Sequence, residues 1–76
     1  MKKIQPIGIF DSGIGGLSVM AHIQSLLPDE SLAYIADSFH APYGLKSHHE
    51  ILLRSKVIID YLINTKSAKI IVVACN

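Results

Sequence analysis

Three polar side chains stand where an apolar run of this sequence ends. Asp11 follows IGIF (7–10), Asp37 follows LAYIA (32–36), and Cys75 follows IIVVA (70–74). A thiolate in such a place is a competent base or nucleophile, provided that a helix N-terminus or hydrogen bonds lower its pKa. The flanking residues suit the handling of a small polar ligand. Ser12 with Gly13, Gly15 and Gly16 lies behind Asp11, the loop residues Pro42, Tyr43 and Gly44 lie behind Asp37, and the amide Asn76 adjoins Cys75. Each residue also has a plainer use. A free cysteine often just fills space in a strand, Asp11 and Ser12 can cap a helix, and Tyr43 can anchor a loop by its ring rather than orient a ligand by its hydroxyl.

The glycine turn, GIGGLS (13–18), comes close to the dinucleotide fingerprint G-x-G-x-x-G, with Gly13 and Gly15 in place but Ser18 at the third position. Asp11 and Ser12 also separate it from the preceding strand, although Asp37 could be offered as a ribose-binding acid. Two readings stay open here. Backbone N–H groups at the start of the following helix can attract a phosphate or carboxylate, or Gly15 and Gly16 can merely allow close packing of strand and helix. His40, His48, His49 and Glu50 match no metal-ligand spacing, so the expectation is solvated first-turn residues and no metal.

Parallel strands place such groups together. Residues 7–10 read as a buried strand; Leu17, Met20, Ile23 and Leu27 follow at helical spacing until Pro28 ends the helix. Residues 32–36 form a second strand and FHAPYG (39–44) a loop. A longer helix runs from Ser47 to Asn64, with Leu52, Ile59, Leu62 and Ile63 as inward candidates, and residues 70–74 form a third strand. The strands are apolar throughout rather than alternating, which marks a parallel sheet covered on both faces. The expected class is therefore α/β, a three-layer β-α-β-α-β unit with right-handed crossovers. Ligands in such sheets bind beyond the carboxyl ends of the strands, where strand order reverses. With strand order 2-1-3, Asp11 and Cys75 flank one crevice.

Length and composition narrow the function classes. The 76 residues allow one small domain, and a hydrophobic fraction of 50% excludes a disordered chain. Net charge is +1 with no basic stripe, which argues against nucleic acid as a partner. No apolar run nears the roughly 20 residues of a membrane span, and the first residues are too glycine-interrupted for a secretory signal. One cysteine permits no internal disulfide and fits a reducing, cytoplasmic setting.

Together, GIFDSGIGGLSV (8–19), YIADSFHAPYG (34–44) and IIVVACN (70–76) resemble the three N-terminal signatures of the glutamate racemases, in the same order. That resemblance implies half of a flavodoxin-like lobe of the aspartate/glutamate racemase superfamily. It implies cofactor-independent interconversion of L- and D-glutamate in the cytoplasm, supplying peptidoglycan synthesis, by an enzyme whose full-length members form homo-oligomers. The family uses two cysteines on opposite faces of the substrate α-carbon, one removing a proton and the other delivering one. On the matching positions, Cys75 resembles the first cysteine, Asp11 the carboxylate beside it, and Ser12 a substrate-contacting hydroxyl. Pro42, Tyr43 and Gly44 resemble the substrate-holding loop, and Asn76 the amide after the cysteine. Phe39 and His40 depart from the small and basic residues often found there.

The family is longer, with two similar lobes, and Cys75 is the only cysteine here. The expectation is that residues 1–76 form a partial N-terminal lobe without racemase activity of its own, the opposing lobe being absent. A nucleotide- or anion-binding module and a non-catalytic interaction remnant are the competing readings.

Overall fold

The computed structural model describes residues 4–13, 15–38 and 43–74, the side chain of Tyr43 excepted. The elements follow in the order β1 (Ile7–Asp11), α1 (Gly16–Leu26), β2 (Leu32–Ala36), a 3-10 turn (Tyr43–Leu45), α2 (His48–Asn64) and β3 (Ile70–Val73). All three strands are parallel, in the order β2-β1-β3, as the sequence suggested. α1 stops two residues before Pro28, with the Leu27 N–H donating to the Ile23 carbonyl at 2.8 Å. Ser47 caps α2, its hydroxyl accepting the Glu50 N–H at 3.2 Å.

Strand alternation sorts the side chains. Ile7, Ile9 and Asp11 share a face with Leu32, Tyr34 and Ala36 of β2; Gly8 and Phe10 share the other with Ala33, Ile35 and Ile71. α2 covers the second face, where Ile58 and Leu62 enclose Phe10, with Ile51, Ile59 and Ala68 around them. Gly8 makes this approach possible, because a Cβ there would lie 2.9 Å from Ile71 Cδ1 and 3.3 Å from Leu62 Cδ1. α1 begins against Asp11 on the first face, so the two helices lie on opposite sides of the sheet.

The helix faces correct two expectations. Leu52 and Ile63 are exposed, at 67% and 47%, and the inward stripe is Ile51, Ile58 and Leu62. α2 is apolar around much of its circumference, so spacing offered several stripes, and the gap over Gly8 and Phe10 selects one. Leu17 and Leu27 are likewise exposed, and Gly16 is the buried residue of α1.

Candidate functional site

β1 runs one residue further than its apolar run, so Asp11 is its last residue and points to the α1 face. Both edge strands reach it. The Asp37 N–H donates to the Asp11 carbonyl at 2.8 Å, and the Ala74 N–H donates to the Phe10 carbonyl at 2.7 Å. Beyond Asp11 the chain turns through Gly13 (φ 106°) and Gly15 (φ 82°), left-handed conformations that favour glycine. The turn closes on the carboxylate. Oδ1 accepts the Gly13 N–H at 3.0 Å, and Oδ2 accepts the Gly16 N–H at 2.9 Å. Any Cβ on Gly16 would overlap the Asp11 side chain.

A third donor comes from the neighbouring strand. Tyr34, opposite Ile9 in the β1–β2 register, gives its hydroxyl to Asp11 Oδ2 at 2.6 Å. That hydrogen bond, with desolvation and the charge of Asp11, pushes the Tyr34 phenol up to about 12 from 10.0. Asp11 is only 2% exposed, and among the described residues every buried side-chain polar atom has a partner.

This arrangement changes the meaning of the glycine turn. A helix start attracts anions through its free N–H groups, but here the chain's own carboxylate takes the Gly13 and Gly16 donors. Those two donors are therefore not offered to a nucleotide phosphate or a substrate carboxylate, which weakens the nucleotide reading. Asp37 is equally committed. Arg54 of α2 grips it with two bonds, Nε to Oδ2 at 3.1 Å and Nη2 to Oδ1 at 3.0 Å, so its carboxylate is held by the helix on the far side of the sheet.

Beside Asp11 lies an open cleft of about 350 Å³, lined by Gly16, Leu17, Tyr34, Ala36 and Ser38 among others. Its size suits a small polar molecule. A wider groove of about 610 Å³ runs from Ile4 and Ser31 past Tyr61 and Lys66, away from the carboxyl rim.

The structure thus brings Asp11 and Ser12 to the carboxyl rim, both buried. Gly44 is exposed within the 3-10 turn, with neither a left-handed φ nor a crowded Cβ position, so the backbone does not require glycine there. Pro42, the Tyr43 side chain, Cys75, Asn76, Phe39 and His40 lie outside what is described. His48, His49 and Glu50 are exposed in the first turn of α2, and no group of His, Cys, Asp or Glu among the described residues could hold a metal. Two residues of the rim escaped sequence reasoning. Tyr34 was hidden inside an apolar strand, whereas Arg54 carried a signal, being the one arginine of the chain on a largely apolar helix.

The chain is 54% identical over 71 residues to the glutamate racemase of Ectopseudomonas mendocina (strain ymp), covering 93% of this chain and 27% of the relative. It is 55% identical over 75 residues to that of Pseudomonas entomophila (strain L48), covering 99% and 28%. With the glutamate racemase of Herpetosiphon aurantiacus it shares 50% over 74 residues, covering 97% and 29%. The chain therefore spans a little over a quarter of the length of the curated relatives it matches. No family model and no solved structure matches it. No helix among the described residues is long and apolar enough to cross a membrane.

Proposed function

We propose that this chain, which belongs with the glutamate racemases along nearly all of its length, forms the N-terminal wall of a glutamate racemase site. The observation that carries the reading is the identity of 50–55% over 93–99% of the chain. The reaction is cofactor-independent inversion at the α-carbon of glutamate, serving cell-wall peptidoglycan in the cytoplasm, with a homo-oligomer as the full-length form.

The chemistry fits the residue types. An α-proton is a very weak acid, so its base must be held in place and the developing charge must meet fixed donors. Cys75 is that base on one face of the substrate. Asp11 does not activate the thiolate, because a neighbouring carboxylate raises a thiol pKa; it faces the substrate ammonium and manages the proton. Ser12, Asn76 and the Pro42–Tyr43–Gly44 loop hold the rest of the amino acid. Since the Gly13 and Gly16 N–H groups already serve Asp11, the substrate carboxylate draws on the remaining N–H groups and hydroxyls near the glycine turn. The second base lies in that lobe, so residues 1–76 alone do not turn over glutamate.

The test replaces the matched segment of the Pseudomonas entomophila racemase with residues 1–76. The chimera racemises glutamate, Cys75→Ser abolishes this, and the isolated chain is inactive. A folded chimera without activity, or an isolated chain whose turnover depends on Cys75, rejects the reading. One observation favours an interaction remnant instead. Twelve large hydrophobic residues among those described, from Tyr61 at 43% to Leu45 at 86%, are exposed. Persistent oligomers of the isolated chain combined with an inactive chimera would favour it.

A further inference from the structure

The contacts of Asp11 divide by origin. Gly13 and Gly16 belong to the turn that the carboxylate itself organises, so turn and carboxylate hold one another. Tyr34 belongs to β2, a strand paired to β1 along its whole length. Its hydroxyl donates to Oδ2 at 2.6 Å, within the range of charge-assisted O–H···O bonds, and shares that oxygen with the Gly16 N–H. Two donors fill the two lone-pair directions of a carboxylate oxygen. Oδ2 is thereby tied at once to the helix start and to the sheet, and the tyrosine also lines the 350 Å³ cleft.

We propose that Tyr34 is a positioning residue of this site, acting through Asp11 by fixing the carboxylate in one orientation between the glycine turn and the cleft. The inference rests on the racemase reading only for its consequence in catalysis. The ring does not exchange a proton with substrate; it holds Oδ2 in place while Asp11 faces the ammonium group. Losing the hydroxyl lets the carboxylate and its turn move together, and small misplacements of a reacting group can cost about a hundredfold in rate.

Two measurements on the 76-residue chain decide the contact itself. In a tyrosinate absorbance titration followed alongside circular dichroism, one of the three tyrosines ionises at about 12 rather than 10.0, and Tyr34→Phe removes that step. With carbon-13-labelled aspartate, the Asp11 carboxyl titrates at higher pH in the Tyr34→Phe variant than in the wild type. A Tyr34 that ionises near 10, or an Asp11 titration unmoved by the variant, overturns the proposal. If the variant does not fold, a wild-type chain whose three tyrosines all ionise near 10 still overturns the proposal. In the racemase chimera, Tyr34→Phe lowers kcat about 10- to 100-fold with a much smaller change in KM. An active chimera whose kcat ignores the substitution also overturns it. An inactive wild-type chimera counts against the racemase reading alone, because the two titrations still judge Tyr34.

Discussion

The substitution Asp11→Asn tests the rim most sharply, because it keeps the shape of the side chain and removes its charge. In the wild type, a residue only 2% exposed accepts from Gly13, Gly16 and the Tyr34 hydroxyl. An asparagine has one acceptor oxygen. If that oxygen stays with Gly16 and Tyr34, the amide nitrogen meets the Gly13 N–H, donor against donor. One charge-assisted bond is lost and two weaken, a cost of about 1.5–3 kcal/mol. A chain of this length has about 4–11 kcal/mol of total stability. The loss is a large fraction of that, and the melting temperature should fall by roughly 6–24 °C, given about 4–8 °C per kcal/mol in domains of this size. Thermal unfolding of the 76-residue chain followed by far-ultraviolet circular dichroism measures this directly. An Asp11→Asn variant that melts with the wild type would refute the claim that the carboxylate holds the turn.

Further expectations concern pH and packing. Tyr34 is raised from 10.0 to about 12, so its bond to Asp11 stabilises the fold in full below pH 10 and is lost as pH rises through 12; urea midpoints should fall across that window, and less so in Tyr34→Phe. Gly8→Ala places a Cβ 2.9 Å from Ile71 Cδ1 and should cost about 1–3 kcal/mol, read as a lower urea midpoint at unchanged slope. Arg54→Ala strands the buried Asp37, but the arginine is 32% exposed and water can replace it in part; the expected loss is about 1–3 kcal/mol by the same assay. By contrast, Asp60→Asn in the exposed Lys56–Asp60 pair should change stability by less than about 0.5 kcal/mol.

What could be read from the sequence was whatever periodicity encodes. Apolar runs at 7–10, 32–36 and 70–74 required parallel strands, and the position of Asp11 at the end of the first required the carboxyl rim. Burial held only for β1, since β2 is half-buried and Ile70 and Val73 of β3 are 58% and 55% exposed. The stripe of α2 was harder, because Leu52, Leu53 and Val57 are as apolar as Ile51 and Ile58, and only the notch above Gly8 distinguishes them. Tyr34 could not be assigned a role without the register of β2 against β1, which sets its side of the sheet and its distance from Asp11. The glycine turn was ambiguous for a different reason. A loop that cradles an anion looks the same in sequence whether the anion is a ligand or the chain's own aspartate.

That last ambiguity has a structural consequence. Because the anion is internal, the rim behaves as one connected unit rather than as a strand end with a ligand added. The Asp37 backbone N–H donates to the Asp11 carbonyl while the Asp37 side chain is gripped by Arg54. The Ala74 N–H donates to the Phe10 carbonyl, one residue before Cys75. A disturbance in α2 therefore has a covalent and hydrogen-bonded route to the end of β1, and from there to the turn that Asp11 closes. Substitutions at Arg54 and at Asp11 should for this reason be non-additive in stability, as contacting or networked residues generally are. A double-mutant cycle between Arg54→Ala and Asp11→Asn that sums to zero coupling would show that the two halves of the rim are independent.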